Sequence, residues 1–343
     1  MTTARGWLIL AGIALFSCGM VNAAGQDEHG DCPAQAGGPV VKACPECRAK
    51  QGFWCSECAA KSPCKLCGGS GWVLADGSGP APADGAGAAA DLARVNSILA
   101  TSLRRVETPR FRLLTDVPHR QSHRYALLIE KYAGRFNDTF GIGQGEKLWR
   151  DTCEVYLFDS RESFEKFAKD VDRKPDVAAS GGYSSPSANC PRVVLFTDSR
   201  DEDEISRVII HELTHVYLAL FYAEGQLPCW VHEGVAQDFE FSYKTSGSRR
   251  KASLKIIRKA IEDNTLMSLA ELSQMKFTPS DLLPYAASWS AVSCLMAKDR
   301  AAFVQWVKLM KQGQDQQAAF NSAFDTSFDT ANAAWRANIP RQK

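Results

Sequence analysis

An α+β fold is predicted for the body of this chain, behind a small cysteine-rich N-terminal module and ahead of a helical C-terminal part. Three observations carry that expectation. The short apolar runs Val155-Tyr156-Leu157-Phe158 and Val193-Val194-Leu195-Phe196 read as strands and come before the strongest helical patterning. From about Lys251 the pattern turns helical, with short breaks between Leu254–Ile261, Leu269–Leu272, Ser288–Met296 and Phe303–Met310. Strands followed by runs of helices are the sequence order of α+β folds. The third observation is a sharp change of composition along the 343 residues, which divides the chain into segments.

The first segment, residues 1–24, has the order of a secretory signal peptide. Met1-Thr2-Thr3-Ala4-Arg5 is followed by an apolar stretch from Trp7 to Val21 and then by small residues at Ala23-Ala24-Gly25. The expectation is export, to the periplasm or outside the cell. Leu15-Phe16-Ser17-Cys18-Gly19 loosely resembles a bacterial lipobox, although Phe16 is bulky for its position, which makes lipid anchoring at Cys18 a secondary reading. The apolar stretch is short for a membrane span, and no later segment has the ~18 apolar residues that one needs.

Residues 25–74 hold most of the twelve cysteines. Three C-x-x-C pairs, Cys44/Cys47, Cys55/Cys58 and Cys64/Cys67, follow Cys32. Each such pair can aim two thiolates at one cation, so two pairs make a four-cysteine zinc site. Export pulls the other way, because an oxidising compartment favours disulfides over thiolates. Both readings stand, and either would staple a segment too small to fold on its own apolar core. Cys64-Lys65-Leu66-Cys67-Gly68-Gly69-Ser70-Gly71 resembles one repeat of the DnaJ-type zinc module. Recruiting a protein partner is the role expected of it.

Residues 75–90, rich in Gly, Ala and Pro and poor in large apolar side chains, read as a flexible linker. The formal net charge of +1 gives no sustained positive field, which argues against nucleic acid as a partner. The local run Lys244, Arg249, Arg250, Lys251, Lys255, Arg258 and Lys259 reads as a solvated loop and helix face. His119 and His123 read as surface residues at a polar helix start.

In residues 91–250 the chemistry concentrates in His211-Glu212-Leu213-Thr214-His215. Residues four apart on a helix lie one above the other, so both imidazoles can reach one metal with Glu212 beside them. The helix has a start signal in Ser199 to Glu204, a cap candidate followed by acidic residues that complement the helix dipole. A metzincin would need Gly at Leu218 and His at Phe221, so that subclass is excluded. Two adjacent side chains are available as third ligand, His232 and Glu233. The segment Glu224-Gly225-Gln226-Leu227-Pro228 would end the first helix and let a second begin near Trp230.

The pair H-E-L-T-H and Trp230-Val231-His232-Glu233-Gly234-Val235-Ala236 resembles the gluzincin zinc metallopeptidases, and among them the bacterial peptidase MA-like domains with a W-x-x-E-G-x-A helix. Residues 107–340 carry the likeness, with Gly181-Gly182-Tyr183-Ser184 and Tyr285-Ala286-Ala287-Ser288-Trp289 as softer matches. The resemblance implies a zincin-like domain with a small mixed sheet and active-site helices, and a C-terminal helical cap (251–343) over the cleft. It selects Glu233 as third ligand of a catalytic Zn²⁺ held by His211 and His215. It also implies hydrolysis of a peptide or protein by a zinc-activated water, with Glu212 as general base. Tyr285 is the candidate oxyanion donor and Tyr183 the second. Residues 181–184 would be the cleft strand on which an extended peptide is held. The absence of a G-x-M-E-N motif favours endopeptidase action.

The sequence departs from the thermolysin-type pattern in one place. A carboxylate is expected four residues after Glu233 to support a zinc histidine, yet that position is Gln237 and the acid, Asp238, comes next. Either side chain is open to the role. Four dispersed cysteines suggest two bridges, Cys153–Cys190 and Cys229–Cys294, or buried thiols. A noncatalytic binding protein on the same fold, recruiting a partner through its cysteines, is the competing functional reading.

Overall fold

The computed structural model describes residues 41–43, 54–55, 64–66, 72–74, 86–143, 148–149, 152–178, 180–186, 191–198, 200–278 and 281–339. The signal-peptide and lipobox expectations lie outside them, as do Cys44, Cys47, Cys58, Cys67 and Cys190. Cys55 is described through its backbone alone, and Cys64 is half-buried.

In the cysteine-rich segment β1 (Val41–Ala43) pairs antiparallel with β3 (Trp72–Leu74). Between them, β2 (Trp54–Cys55) pairs antiparallel with β4 (Arg104–Glu107), Trp54 opposite Glu107. Helix α1 (Ala86–Leu99) begins inside the stretch read as linker. After β4 come β5 (Phe111–Thr115), α2 (His119–Phe140), β6 (Cys153–Phe158), α3 (Arg161–Asp170), β7 (Gly182–Ser185) and β8 (Arg192–Phe196).

The main sheet has the order β2-β4-β5-β6-β8-β7. β5, β6 and β8 are parallel at its centre, while β4 and β7 run antiparallel to their neighbours. The sheet is therefore mixed, as expected, with β7 as its last strand. Strand alternation separates two cores. Phe111, Leu113, Val155, Leu157, Val193 and Leu195 face one way, toward α2 and the helices after the sheet. Leu114, Tyr156, Phe158, Val194 and Phe196 face the other, against α1 and α3. Parallel central strands covered on both faces explain why Val155–Phe158 and Val193–Phe196 are apolar without a break.

After the sheet, α4 (Glu202–Leu220), α5 (Cys229–Phe241), α6 (Gly247–Glu262), α7 (Leu269–Gln274), α8 (Leu282–Lys298), α9 (Arg300–Lys311), α10 (Gln316–Phe324) and α11 (Phe328–Asn338) follow in order. The helical reading of the C-terminal part is met, and its side chains join the same apolar cluster as the sheet, from Val106 to Ile339. Among the described residues no helix is long and apolar enough to cross a membrane.

Candidate metal centre

Helix α4 starts at Asp201, whose side chain accepts from the Glu204 amide at 2.7 Å, with Glu202, Asp203 and Glu204 in the first turn. Carboxylates there complement the positive end of the helix dipole. Nearly every residue from Ile205 to Leu218 is buried, which holds the helix in one orientation against the sheet and α5. At its far end the Lys311 ammonium donates to the Ala219 carbonyl at 2.7 Å, while the Gly225 amide donates to the Lys311 carbonyl at 3.0 Å. A Cβ at Gly225 would stand 2.2 Å from that carbonyl oxygen, so only glycine lets the α4–α5 loop close on α9. This clamp turns the chain back and delivers α5 to α4.

Three side chains then converge. His211 Nε2 and His215 Nε2 are 3.2 Å apart, and the Glu233 carboxylate oxygens lie 3.5 Å from the first and 3.7 Å from the second. Tetrahedral ligands at zinc distances of 2.0–2.1 Å sit roughly 3.3 Å from one another, so the spacing suits a zinc ion with one position left open. All three are buried, and Glu233 Oε2 has no hydrogen-bond partner. Glu233, rather than its neighbour His232, completes the set. His232 remains close, its ring 5.7 Å from that of His215.

Gly234 explains the glycine of the second motif. A Cβ on it would lie 2.6 Å from the Ser288 carbonyl oxygen and 2.6 Å from Val292 Cγ2, both on α8. The α5 backbone must therefore press against α8, and this contact sets the depth of Glu233 beside it.

Glu212 is wholly buried, and burial pushes its carboxyl up to about 7, with His211 and Lys174 pulling down and Glu233 pushing further up. The Ser184 hydroxyl lies beside the carboxylate and favours its charge, outside the geometry of a normal hydrogen bond. Strand parity decides this: Gly182 and Ser184 face α4, where a Cβ on Gly182 would be 3.2 Å from Val208, while Tyr183 faces the other core. For His211, burial favours the neutral ring, but contacts with Glu233 and Glu240 outweigh it and raise its pKa to about 10. For His215, burial and then its neighbours His211 and His232 drive the pKa well below the ordinary value.

Several expectations need correction here. Tyr183 is not placed to meet an oxyanion, because its hydroxyl donates to Asp172 Oδ2 at 2.8 Å on the far side of the sheet. Neither Gln237 nor Asp238 is placed against His211 or His215. Asp238 turns to Ser293 and Trp289 of α8, and Gln237 Oε1 is buried without a partner. The carboxylate that does face His211 is Glu240, whose Oε2 lies 3.4 Å from Nδ1, outside hydrogen-bond geometry, and whose other oxygen accepts from Arg249 at 2.8 Å. Arg249 thus leaves the solvated basic face on which the sequence reading put it. Cys294 is a thiol accepting from Asn338 at 3.4 Å and makes no bridge to Cys229. Cys153 is buried at the start of β6. Tyr285 is buried in the first turn of α8, its ring 5.2 Å from that of Phe277 and one turn before Ser288.

Helical arithmetic could have found Glu240. At about 100° per residue, position i+7 returns to within about 20° of Glu233, against about 40° for Gln237 and about 140° for Asp238.

Two histidines one turn apart, a returning glutamate and a buried carboxylate between them make a group that could hold a metal ion. Residues 178–341 match the Peptidase MA superfamily. No curated protein matches the chain. The Peptidase MA match takes in β7, both ligand helices and the C-terminal helices, and supports a metallopeptidase-like fold there. It begins after β6, so the first part of the sheet lies outside it.

Proposed function

We propose that the chain is an exported zinc-dependent metallopeptidase of gluzincin type that cuts peptide bonds within a peptide or protein. The observation that carries this reading is the convergence of His211, His215 and Glu233 next to the buried Glu212. When bound, Zn²⁺ would polarise the scissile carbonyl and make water a stronger acid. Glu212 would take the proton of the attacking water on a carboxylate oxygen and return it to the leaving amine, a task suited to an acid titrating near neutrality. Glu240 orients the His211 ring from behind, so that Nε2 faces the shared position. Tyr285 is proposed as the donor to the developing oxyanion.

Glu212→Gln tests the reading directly. It should keep zinc stoichiometry and thermal stability near the parent while lowering kcat/KM on a peptide library by about 100-fold or more. Full cleavage by this variant would overturn the assignment.

A further inference from the structure

Lys174 stands in the connection between α3 and β7, half-buried. Its ammonium is 4.7 Å from the centre of the Tyr183 ring and 3.5 Å from the carbonyl oxygen of Ser184. It therefore reaches the backbone of the last strand of the sheet, at the residue whose hydroxyl adjoins Glu212. Its positive charge is felt at Glu212, where it favours the carboxylate.

Asp172, the acid that acts most strongly on Lys174, already has two partners. Asp172 accepts from Arg192 at 2.6 Å through Oδ1 and from the Tyr183 hydroxyl at 2.8 Å through Oδ2. Among the described residues no carboxylate lies within ion-pair distance of Lys174. Burial disfavours its charge and outweighs the pull of Asp172 and Glu212, a deficit that a carboxylate arriving from outside would offset. A cation of this kind, at the last strand of the sheet among the described residues and acting on the charge of the general base, is placed to read charge on a substrate laid along that strand.

We propose that Lys174 is a specificity-determining residue that binds a carboxylate of the substrate close to the scissile bond, and that the substrates are peptides with an acidic side chain or a C-terminal carboxylate at that place. The proposal rests on the metallopeptidase reading. A charged side chain and a chain terminus offer the same oxygens, so they are separated by experiment.

The test uses the zinc-loaded full chain and two sets of peptides. One set has Glu or Gln flanking the cleaved bond with an amidated C-terminus; the other has neutral side chains with a free or amidated C-terminus. The parent should favour the carboxylate member of one set by about 10–100-fold in kcat/KM. Lys174→Met should bring that ratio near one, and Lys174→Glu should turn the preference toward lysine-flanked peptides, with zinc content and melting temperature as controls for folding. A parent that cleaves a random library with a ratio near one in both sets overturns the role of Lys174 alone, as does an unchanged ratio in both variants. A parent that binds zinc and cleaves neither the sets nor the library overturns the metallopeptidase reading, and this proposal with it.

Discussion

Glu240 Oε2 lies 3.4 Å from Nδ1 of His211, and Arg249 holds the other oxygen of the same carboxylate at 2.8 Å. Burial works against a charge on Glu240, but His211 and Arg249 outweigh it and hold its carboxyl below the usual range. The carboxylate thus faces the imidazole from the side opposite the metal position as a charge contact outside hydrogen-bond geometry. Glu240→Gln should weaken zinc binding by about 10–100-fold while leaving all three ligands in place. Arg249→Met should weaken it in the same direction. Competition against a zinc chelator reads both, and an unchanged affinity in the two variants would show that the contact is only packing.

Zinc binding should depend on pH through His211. In the metal-free chain its pKa stands at about 10, so it carries a proton at neutral pH, and a ligand nitrogen must give that proton up. His215, held neutral by burial, adds no such cost. Apparent affinity should therefore rise about tenfold per pH unit between pH 6 and 8, with one proton released per zinc. Calorimetry in buffers of different ionisation enthalpy measures that proton, and a flat profile would contradict the arrangement.

Gly234→Ala should force α5 off α8. The new Cβ would meet backbone at Ser288 as well as Val292, and backbone cannot rotate away as a flexible side chain does. A loss of about 1–3 kcal/mol is expected, together with weaker zinc binding because Glu233 moves with the helix. Chemical denaturation with and without zinc separates the two effects.

Tyr285→Phe isolates one hydroxyl. If that group meets the oxyanion, kcat should fall by about 10–1,000-fold with little change in KM. Equal kcat for parent and variant would leave Tyr285 as a packing residue beside Phe277.

Much of the centre was legible because helical geometry is local. His211, Glu212 and His215 share a turn, and that turn needs only the 3.6-residue period to be read. Glu233 required a resemblance, since the return of α5 depends on a clamp between Gly225 and Lys311, 86 positions apart, that no local pattern records. Tyr183 was misread for the opposite reason. A strand sends alternate side chains to opposite faces, and which face is the cleft depends on where α4 lies across the sheet. Ser184, one position on, is the residue that meets Glu212. Arg249 reads in sequence as one more solvated cation, because charge in a sequence carries no sign of the acid it will face.

By itself the sequence determined the order of strands and helices, the helix that carries H-E-L-T-H, and the chemical types of the ligands, because period, breakers and residue chemistry act over a few positions. Tertiary structure decided which acid stands behind His211, which side of β7 sees the base, and that the Lys174 ammonium lies against Ser184 of β7. Those are outcomes of packing between segments distant in the chain, where glycine contacts on α8 and α9 set distances to a few tenths of an ångström.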